Sequence, residues 1–154
     1  MMRFSIIPAC LLALCSCLVS APPRANELYV DREYAGALRK AELVLDSLSV
    51  QKGFDSKILE TNAAYILHLL LERRNQDLPP NGGESLSLHA LIKEAEFPRD
   101  LQTLNTVTVE LRIFDPPRTK AVALALYSET TKETIESYSY LHSVIRRALR
   151  QLDR

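Results

Sequence analysis

The apolar positions of residues 27–75 recur with the spacing of two helices. Between Glu27 and Ser49 they fall alternately four and three residues apart, at Tyr34, Leu38, Ala41, Leu45 and Leu48. That spacing lines one face of a helix. A second run, from about Ser56 to Asn75, has a wider apolar face and ends in basic residues, which suit the C-terminal end of a helix dipole. Because only a short loop around Gly53 separates the two runs, they predict an antiparallel helical hairpin.

In residues 106–127 the apolar positions recur every second residue, a period that is typical of strands. Apolar, mostly β-branched residues alternate with polar ones up to Phe114, and a second alternating run covers Ala121 to Tyr127. Asp115-Pro116-Pro117-Arg118-Thr119 forms a turn between them, so the pattern predicts a β-hairpin. The residues expected to point into the core are Val107, Val109, Leu111, Ile113, Val122, Leu124 and Leu126.

The segment Leu86–Phe97 fits either period. Leu88, Leu91, Ile92 and Ala95 suit a helix, whereas Leu86, Leu88, Ala90 and Ile92 suit a strand equally well. We favour a helix, because Lys93 to Glu96 are good helix formers. The proline- and glycine-rich loop 78–84 separates a helical part, residues 26–77, from a mixed part, residues 85–154.

The last amphipathic stripe predicts a C-terminal helix that begins near Thr130. Its apolar members are Ile135, Tyr138, Leu141, Ile145, Leu149 and Leu152, with Tyr138 expected in the core and Tyr140 at the surface. A helix that directly follows a hairpin folds back across it, so this stripe is expected to cover residues 107–126. Together the elements predict one α+β domain, residues 26–154, with an N-terminal helical hairpin, a β-hairpin near 106–127 and a C-terminal amphipathic helix.

The first residues have the layout of an export signal. Arg3 precedes an apolar run, Phe4–Val19, that falls short of the ~20 residues needed to cross a bilayer. Leu14-Cys15-Ser16-Cys17 resembles the bacterial lipobox, whose positions are counted from the cleavage site: Leu at −3, a small residue at −1 and Cys at +1. Cys15, at −2, departs from the usual Ala or Ser. The resemblance implies a signal peptide of residues 1–16, a tether of residues 17–25 and a lipid on Cys17. The alternative is cleavage after Ala21 and a soluble secreted protein.

A second resemblance concerns residues 24–50. Tyr34-Ala35-Gly36-Ala37-Leu38, followed by Ala41, Val44 and Leu45, resembles the second helix of a tetratricopeptide repeat. It covers one repeat, whereas a solenoid needs about three. The resemblance implies close packing of two helices and a binding role.

The charge, the cysteines and the histidines argue against several kinds of partner and site. The chain has 19 basic and 19 acidic residues, and removing residues 1–16 takes away only Arg3, so we expect no nucleic-acid partner. All three cysteines lie in the first seventeen residues, so cleavage before Cys17 leaves nothing to form a disulfide. The three histidines, His68, His89 and His142, lack metal-ligand spacing, and we predict no metal, no cofactor and no catalytic residue.

Four arginines near the C-terminus, Arg146, Arg147, Arg150 and Arg154, have two interpretations. They satisfy the dipole of the last helical turn, or they contact anionic lipid head groups beside the anchor. The sequence as a whole predicts a lipid-anchored protein of the bacterial cell envelope that binds or scaffolds another envelope protein without being an enzyme. The alternative is a small envelope enzyme, or an accessory subunit of one, whose site the sequence does not reveal.

Overall fold

The computed structural model describes residues 25–52, 56–79, 83–99, 102–117 and 121–153, which form a five-stranded mixed sheet and two helices. The elements are β1 (Ala25–Val30), β2 (Glu42–Gln51), α1 (Lys57–Gln76), β3 (Ser85–Arg99), β4 (Gln102–Phe114), β5 (Ala121–Thr131) and α2 (Tyr138–Leu152). The strand order is β1-β5-β4-β3-β2, with β2 and β3 parallel and the other pairs antiparallel. Neither helix in these ranges is long and apolar enough to cross a bilayer.

The predicted N-terminal helical hairpin, and the α+β fold class built on it, are wrong. Residues 27–49 form β1, a series of turns and β2, so the resemblance to a tetratricopeptide repeat does not hold either. Tyr34, Leu38 and Ala41 lie in or beside turns with i→i+4 backbone hydrogen bonds, which keep a helical spacing without forming a helix. The rest of the spacing comes from a bulge at Asp46, where the pairing of β2 with β3 shifts by one residue. The bulge places Leu45 and Leu48 on the same face of the sheet although they are three apart, and this spacing imitates a helix.

The middle of the chain is a parallel β2-α1-β3 unit. The predicted helix over Ser56–Asn75 is present as α1, which contacts β2 and α2. Residues 85–99 are a strand, not the favoured helix, because the period-two set with Leu88 and Ile92 is buried while β3 pairs along its whole length with β4.

The outer edge of β2 is occupied by side chains of α1. The side-chain amide of Asn75 accepts a hydrogen bond from the Leu43 N–H (3.2 Å) and donates one to the Leu43 carbonyl (3.0 Å). At the other end of the strand, the Val50 N–H donates to Glu60 Oε1 at 3.4 Å. These contacts cover part of an edge that would otherwise present unpaired backbone groups to other chains.

The β-hairpin is present as β4 and β5, but only the β4 half of the predicted core face is correct. Val107, Val109, Leu111 and Ile113 are completely buried. In β5, Ala123, Ala125 and Tyr127 lie on that face, whereas Leu124 and Leu126 are half-buried on the opposite one; Val122 is buried. Small alanines suit this face because they leave room for α2.

The C-terminal helix packs on β4 and β5 as predicted, but it begins at Tyr138 and not near Thr130. Ile135, Leu141, Ile145, Leu149 and Leu152 are buried. The predicted roles of two tyrosines are reversed: Tyr138 is 46% exposed and Tyr140 only 9%. Tyr138, the first helical residue, stacks on His142 one turn later, while Tyr140 turns towards the sheet, where its hydroxyl has a partner.

Candidate functional site

An open cleft of about 440 Å³ lies between the C-terminal turns of α1 and α2 and the turn that precedes β2. Its basic lining residues are Arg39, Arg73, Arg74, His142, Arg146 and Arg150. Leu70, Leu78 and Leu149 form its apolar part, and Asp77 and Asp153 are its acidic residues. We call this the basic cleft.

Arg74 ties the walls of the basic cleft together. Its guanidinium donates to the carbonyls of Leu38 and Ala41, both at 2.9 Å, and to Asp153 Oδ1 at 3.0 Å. One side chain therefore joins the turn before β2 to the ends of both helices. Since every side of its fork is occupied, Arg74 is part of the scaffold of the cleft.

The other four arginines of the basic cleft project into solvent. Arg39, Arg73, Arg146 and Arg150 are exposed, and none forms an ion pair within the described part of the chain. The whole chain is neutral, so its charge is unevenly distributed: five arginines and two aspartates share this one cleft.

The structure divides the four arginines that the sequence grouped near the C-terminus. Arg146 and Arg150 line the basic cleft, Arg147 turns away to a buried glutamate, and Arg154 lies outside the described residues. Arg39 joins Arg146 and Arg150 from a turn about a hundred positions earlier in the chain. No local pattern marks that residue, so the cleft could not be assembled from the sequence.

A buried carboxylate, Glu129, holds α2 against β5. Glu129 is 3% exposed. It accepts hydrogen bonds from the hydroxyls of Tyr127 (2.6 Å) and Tyr140 (3.0 Å) and forms an ion pair with Arg147 (2.8 Å). Burial, followed by the interaction with Glu129, raises the pKa of both tyrosines, so they remain neutral donors. The hydrogen bond with Tyr127 raises the pKa of Arg147.

A second buried carboxylate, Glu94, lies two strands away on the same rung of the sheet. Glu94 and Glu129 are both opposite Val107, which places their backbones roughly 10 Å apart. Glu94 accepts hydrogen bonds from the Ile135 N–H (3.0 Å) and Thr134 Oγ1 (3.2 Å) and pairs with Lys52 at 2.7 Å.

Lys52 also pairs with Glu136 at 3.0 Å. Desolvation lowers the pKa of Lys52, but its hydrogen bonds and charge interactions with Glu94 and Glu136 outweigh that effect and raise it overall. Since Glu94 and Glu129 both have several donors, their arrangement fixes the start of α2 in place. Each glutamate continues the period-two buried set of its strand, and this alternation is the signal in the sequence that could have marked it.

The three histidines lie on three different elements of the fold. His89 pairs with Asp46 at 2.9 Å and contacts the ring of Phe114, His142 stacks on Tyr138 beside the basic cleft, and His68 is exposed on α1. Over the ranges that the structure describes, no three His, Cys, Asp or Glu residues come together in a metal-binding group. The predicted lipidation site, Cys17, lies outside those ranges and stays a prediction.

The outer face of α1 carries an exposed apolar stripe. Ile58 is 66% exposed, Tyr65 57% and Leu69 41%. Their spacing of seven and four residues places them on one side of the helix, while Ala63 and Leu67 are buried on its opposite side. We call these three residues the α1 stripe. Further exposed apolar residues lie on the edge strands, Leu28 and Tyr29 on β1 and Val44 on β2.

Comparison with known proteins identifies solved structures of similar fold. No protein-family model and no curated protein sequence matches the chain. Two crystal structures of the PelC dodecamer from Paraburkholderia phytofirmans, one of a point variant, match with TM-scores of 0.54 and 0.51 at 16% and 15% identity. Each match covers 84% of this chain and 97% of the PelC chain. A minor lipoprotein from Acinetobacter baumannii matches with a TM-score of 0.27 at 18% identity, over 75% of this chain and 85% of that one. The likeness to PelC establishes a shared fold and nothing about activity.

Proposed function

We propose that this chain is an exported, lipid-anchored envelope protein whose function is to bind and scaffold, and that the α1 stripe is the surface by which it associates with further copies of itself. The observation that carries the proposal is that α1 is apolar on two sides. One side packs on β2 and α2, and the other exposes Ile58, Tyr65 and Leu69 to solvent. A helix with apolar residues all round is typical of one that is covered on all sides.

The shared fold supports self-association as the mode of binding. The PelC chain of Paraburkholderia phytofirmans forms a dodecamer. The lipobox-like sequence that ends at Cys17 supports the anchor, and the export signal supports the envelope location.

The hydrogen-bond donors that surround the buried carboxylates favour a binding protein over the alternative of an envelope enzyme. A general acid or nucleophile needs a lone pair or proton directed at the substrate. Glu94 and Glu129 are surrounded by donors from the protein itself, Glu94 at the segment that leads into α2 and Glu129 beneath α2. Both residues therefore act on the position of the helix.

The proposal is tested by a double substitution in the α1 stripe, Ile58→Glu with Tyr65→Glu. Both side chains are exposed, so the fold should persist, and the added charge should prevent burial of the stripe in an interface. Analytical ultracentrifugation should show an assembly of the unsubstituted protein and a monomer of the variant. Ser139→Glu, an exposed position on α2, is the matched control and should leave the assembly intact. An unsubstituted protein that remains monomeric, or an assembly that survives both charges, would refute the proposed interface.

The anchor is tested separately. Incorporation of labelled palmitate into the protein, and its loss in Cys17→Ala, is the expected result. An unsubstituted protein that takes up no label, together with normal processing of the Cys17→Ala variant, would refute the lipid anchor and leave the proposed binding function standing.

A further inference from the structure

We propose that the basic cleft is a binding site for a phosphate monoester, with the phosphate held by Arg39, Arg146 and Arg150. This is independent of the self-association surface, because the α1 stripe and the cleft are lined by different residues. The cleft combines unpaired guanidinium groups with a patch of leucine side chains, and it is concave.

Helix dipoles do not neutralise the charge of the cleft. Each helix end contributes roughly half a negative charge, so the ends of α1 and α2 together supply about one. Asp77 supplies another, while Asp153 is already paired with Arg74. Against these stand the four unpaired arginines, so about two positive charges remain. Like charges held together in a cleft destabilise the free protein, and this cost is relieved when an anion binds.

The residual charge and its carriers identify the class of anion. A phosphate monoester carries about −1.5 to −2 charges near neutral pH, which matches the excess, whereas a phosphodiester carries one. The planar fork of an arginine binds two phosphate oxygens at once, and arginine rather than lysine supplies this charge in the cleft.

The apolar part of the cleft indicates that the ligand extends beyond the phosphate. Leu70, Leu78 and Leu149 lie beside the arginines, and the volume of about 440 Å³ is in the range of small-molecule sites. A free phosphate ion would leave these leucines uncovered. A carbon group esterified to the phosphate would cover them, and both a soluble sugar or glycerol phosphate and the head group of phosphatidic acid have this chemistry.

The first experiment is a calorimetric titration of the purified protein with glycerol 3-phosphate. Binding should weaken at least about tenfold in Arg146→Gln with Arg150→Gln, because two charge-assisted contacts are lost. Arg39→Gln, on a turn outside both helices, should weaken it as well. The matched control is Arg32→Gln, which removes the same charge from an exposed arginine outside the cleft and should change the affinity less than about twofold.

The second experiment distinguishes the two sources of the ester. Co-sedimentation is compared between phosphatidylcholine vesicles and vesicles that also contain phosphatidic acid; an acyl anchor inserts into both, so the difference reports the cleft. A preference for phosphatidic acid that disappears in the double variant assigns the ligand to the membrane. Binding of glycerol 3-phosphate without that preference assigns it to a soluble ester.

Two results would overturn the proposal: neither probe binds, or the double variant and Arg39→Gln bind as tightly as the unsubstituted protein. The melting temperature distinguishes a variant that has lost only the binding site from one that no longer folds. Since the substitutions remove repulsion, the melting temperature of the double variant at low salt should equal or exceed that of the unsubstituted protein.

Discussion

Glu129 is a residue whose removal leaves two buried tyrosine hydroxyls without an acceptor. Two tyrosine hydroxyls and one arginine converge on its carboxylate beneath α2. The two hydroxyls are buried and cannot find water as readily as surface groups can, whereas Arg147 is 48% exposed. Because of the hydroxyls, the loss of the acceptor costs more than the loss of an exposed ion pair.

We therefore expect Glu129→Ala to lower the free energy of unfolding by roughly 3 kcal/mol. Glu110→Ala is the control, since Glu110 pairs with the half-exposed Arg112 on the uncovered face of the sheet, and it should cost about 1 kcal/mol or less. Urea denaturation of the three proteins measures both. Equal losses in the two variants would show that the buried network contributes no more than a surface pair.

The same network makes stability sensitive to alkaline pH. The pKa values of Tyr127 and Tyr140 are raised in the folded protein, mainly by burial. In the unfolded chain the tyrosines titrate near pH 10, so between that pH and their folded pKa the unfolded state has lost protons that the folded state retains. Their contribution to stability is complete below about pH 10 and is lost as the pH rises further.

The corresponding prediction compares the unsubstituted protein with Tyr127→Phe and Tyr140→Phe combined. The free energy of unfolding of the unsubstituted protein should fall as the pH rises above about 10, and the double variant should show a shallower fall, because phenylalanine has no proton to lose. Urea titrations at several pH values measure the slopes. Parallel slopes would contradict a role for these two hydroxyls.

At the scale of single elements, the register of β4 decides which substitutions the sheet tolerates. Val109 is completely buried on the face of β4 that α2 contacts, whereas Thr108 points to the other face and its hydroxyl lies 3.0 Å from that of Ser128. Val109→Asp should therefore cost at least about 3 kcal/mol, because it buries an unpaired charge. Thr108→Asp should be tolerated far better. Equal melting temperatures for the two variants would mean that the register is wrong.

The β5 strand gives a complementary prediction from overpacking. Ala125 is completely buried on the helix-covered face, opposite Leu111. Ala125→Leu should cost about 1–3 kcal/mol, since α2 would have to move away from the sheet. Leu126→Met on the opposite face keeps the volume nearly constant and should change stability by less than that. Thermal melts of both variants measure the difference.

The elements that the sequence predicts correctly are those in which local period and tertiary environment agree. Strand β4 alternates without interruption, and α1 has a broad apolar face, so both follow from pattern alone. The bulge at Asp46 breaks the period of β2, and the small residues of β5 reverse the expected choice of core face. The basic cleft joins residues from three separate parts of the chain, and only the fold brings them together.

At the scale of the whole molecule, α2 covers one side of the hydrophobic core. It contacts β4, β5, β1 and α1, and its own buried residues include Leu141, Ile145 and Leu149. A chain truncated after Ser137 keeps all five strands and α1 but uncovers the apolar face of β4.

We expect that truncated chain to aggregate, because an exposed apolar sheet face associates with other chains. Light scattering and the soluble fraction after refolding measure this outcome. The full chain carrying Ser139→Glu, which keeps α2, serves as the soluble reference. A truncated protein that stays soluble and melts cooperatively would mean that α2 is a projecting arm and not part of the core.

The partly covered edge of β2 has a consequence for the symmetry of any assembly. A ring or filament built by strand addition needs a heterologous contact, in which one edge of each sheet joins the opposite edge of the next. Asn75 and Glu60 already occupy backbone groups at both ends of β2, so an incoming strand would have to displace them. Subunits of this protein cannot simply extend one another's sheets head to tail. Open-ended growth through the sheet is therefore suppressed by these two residues, whereas a two-fold contact between two β1 edges or between side-chain surfaces is unaffected by them.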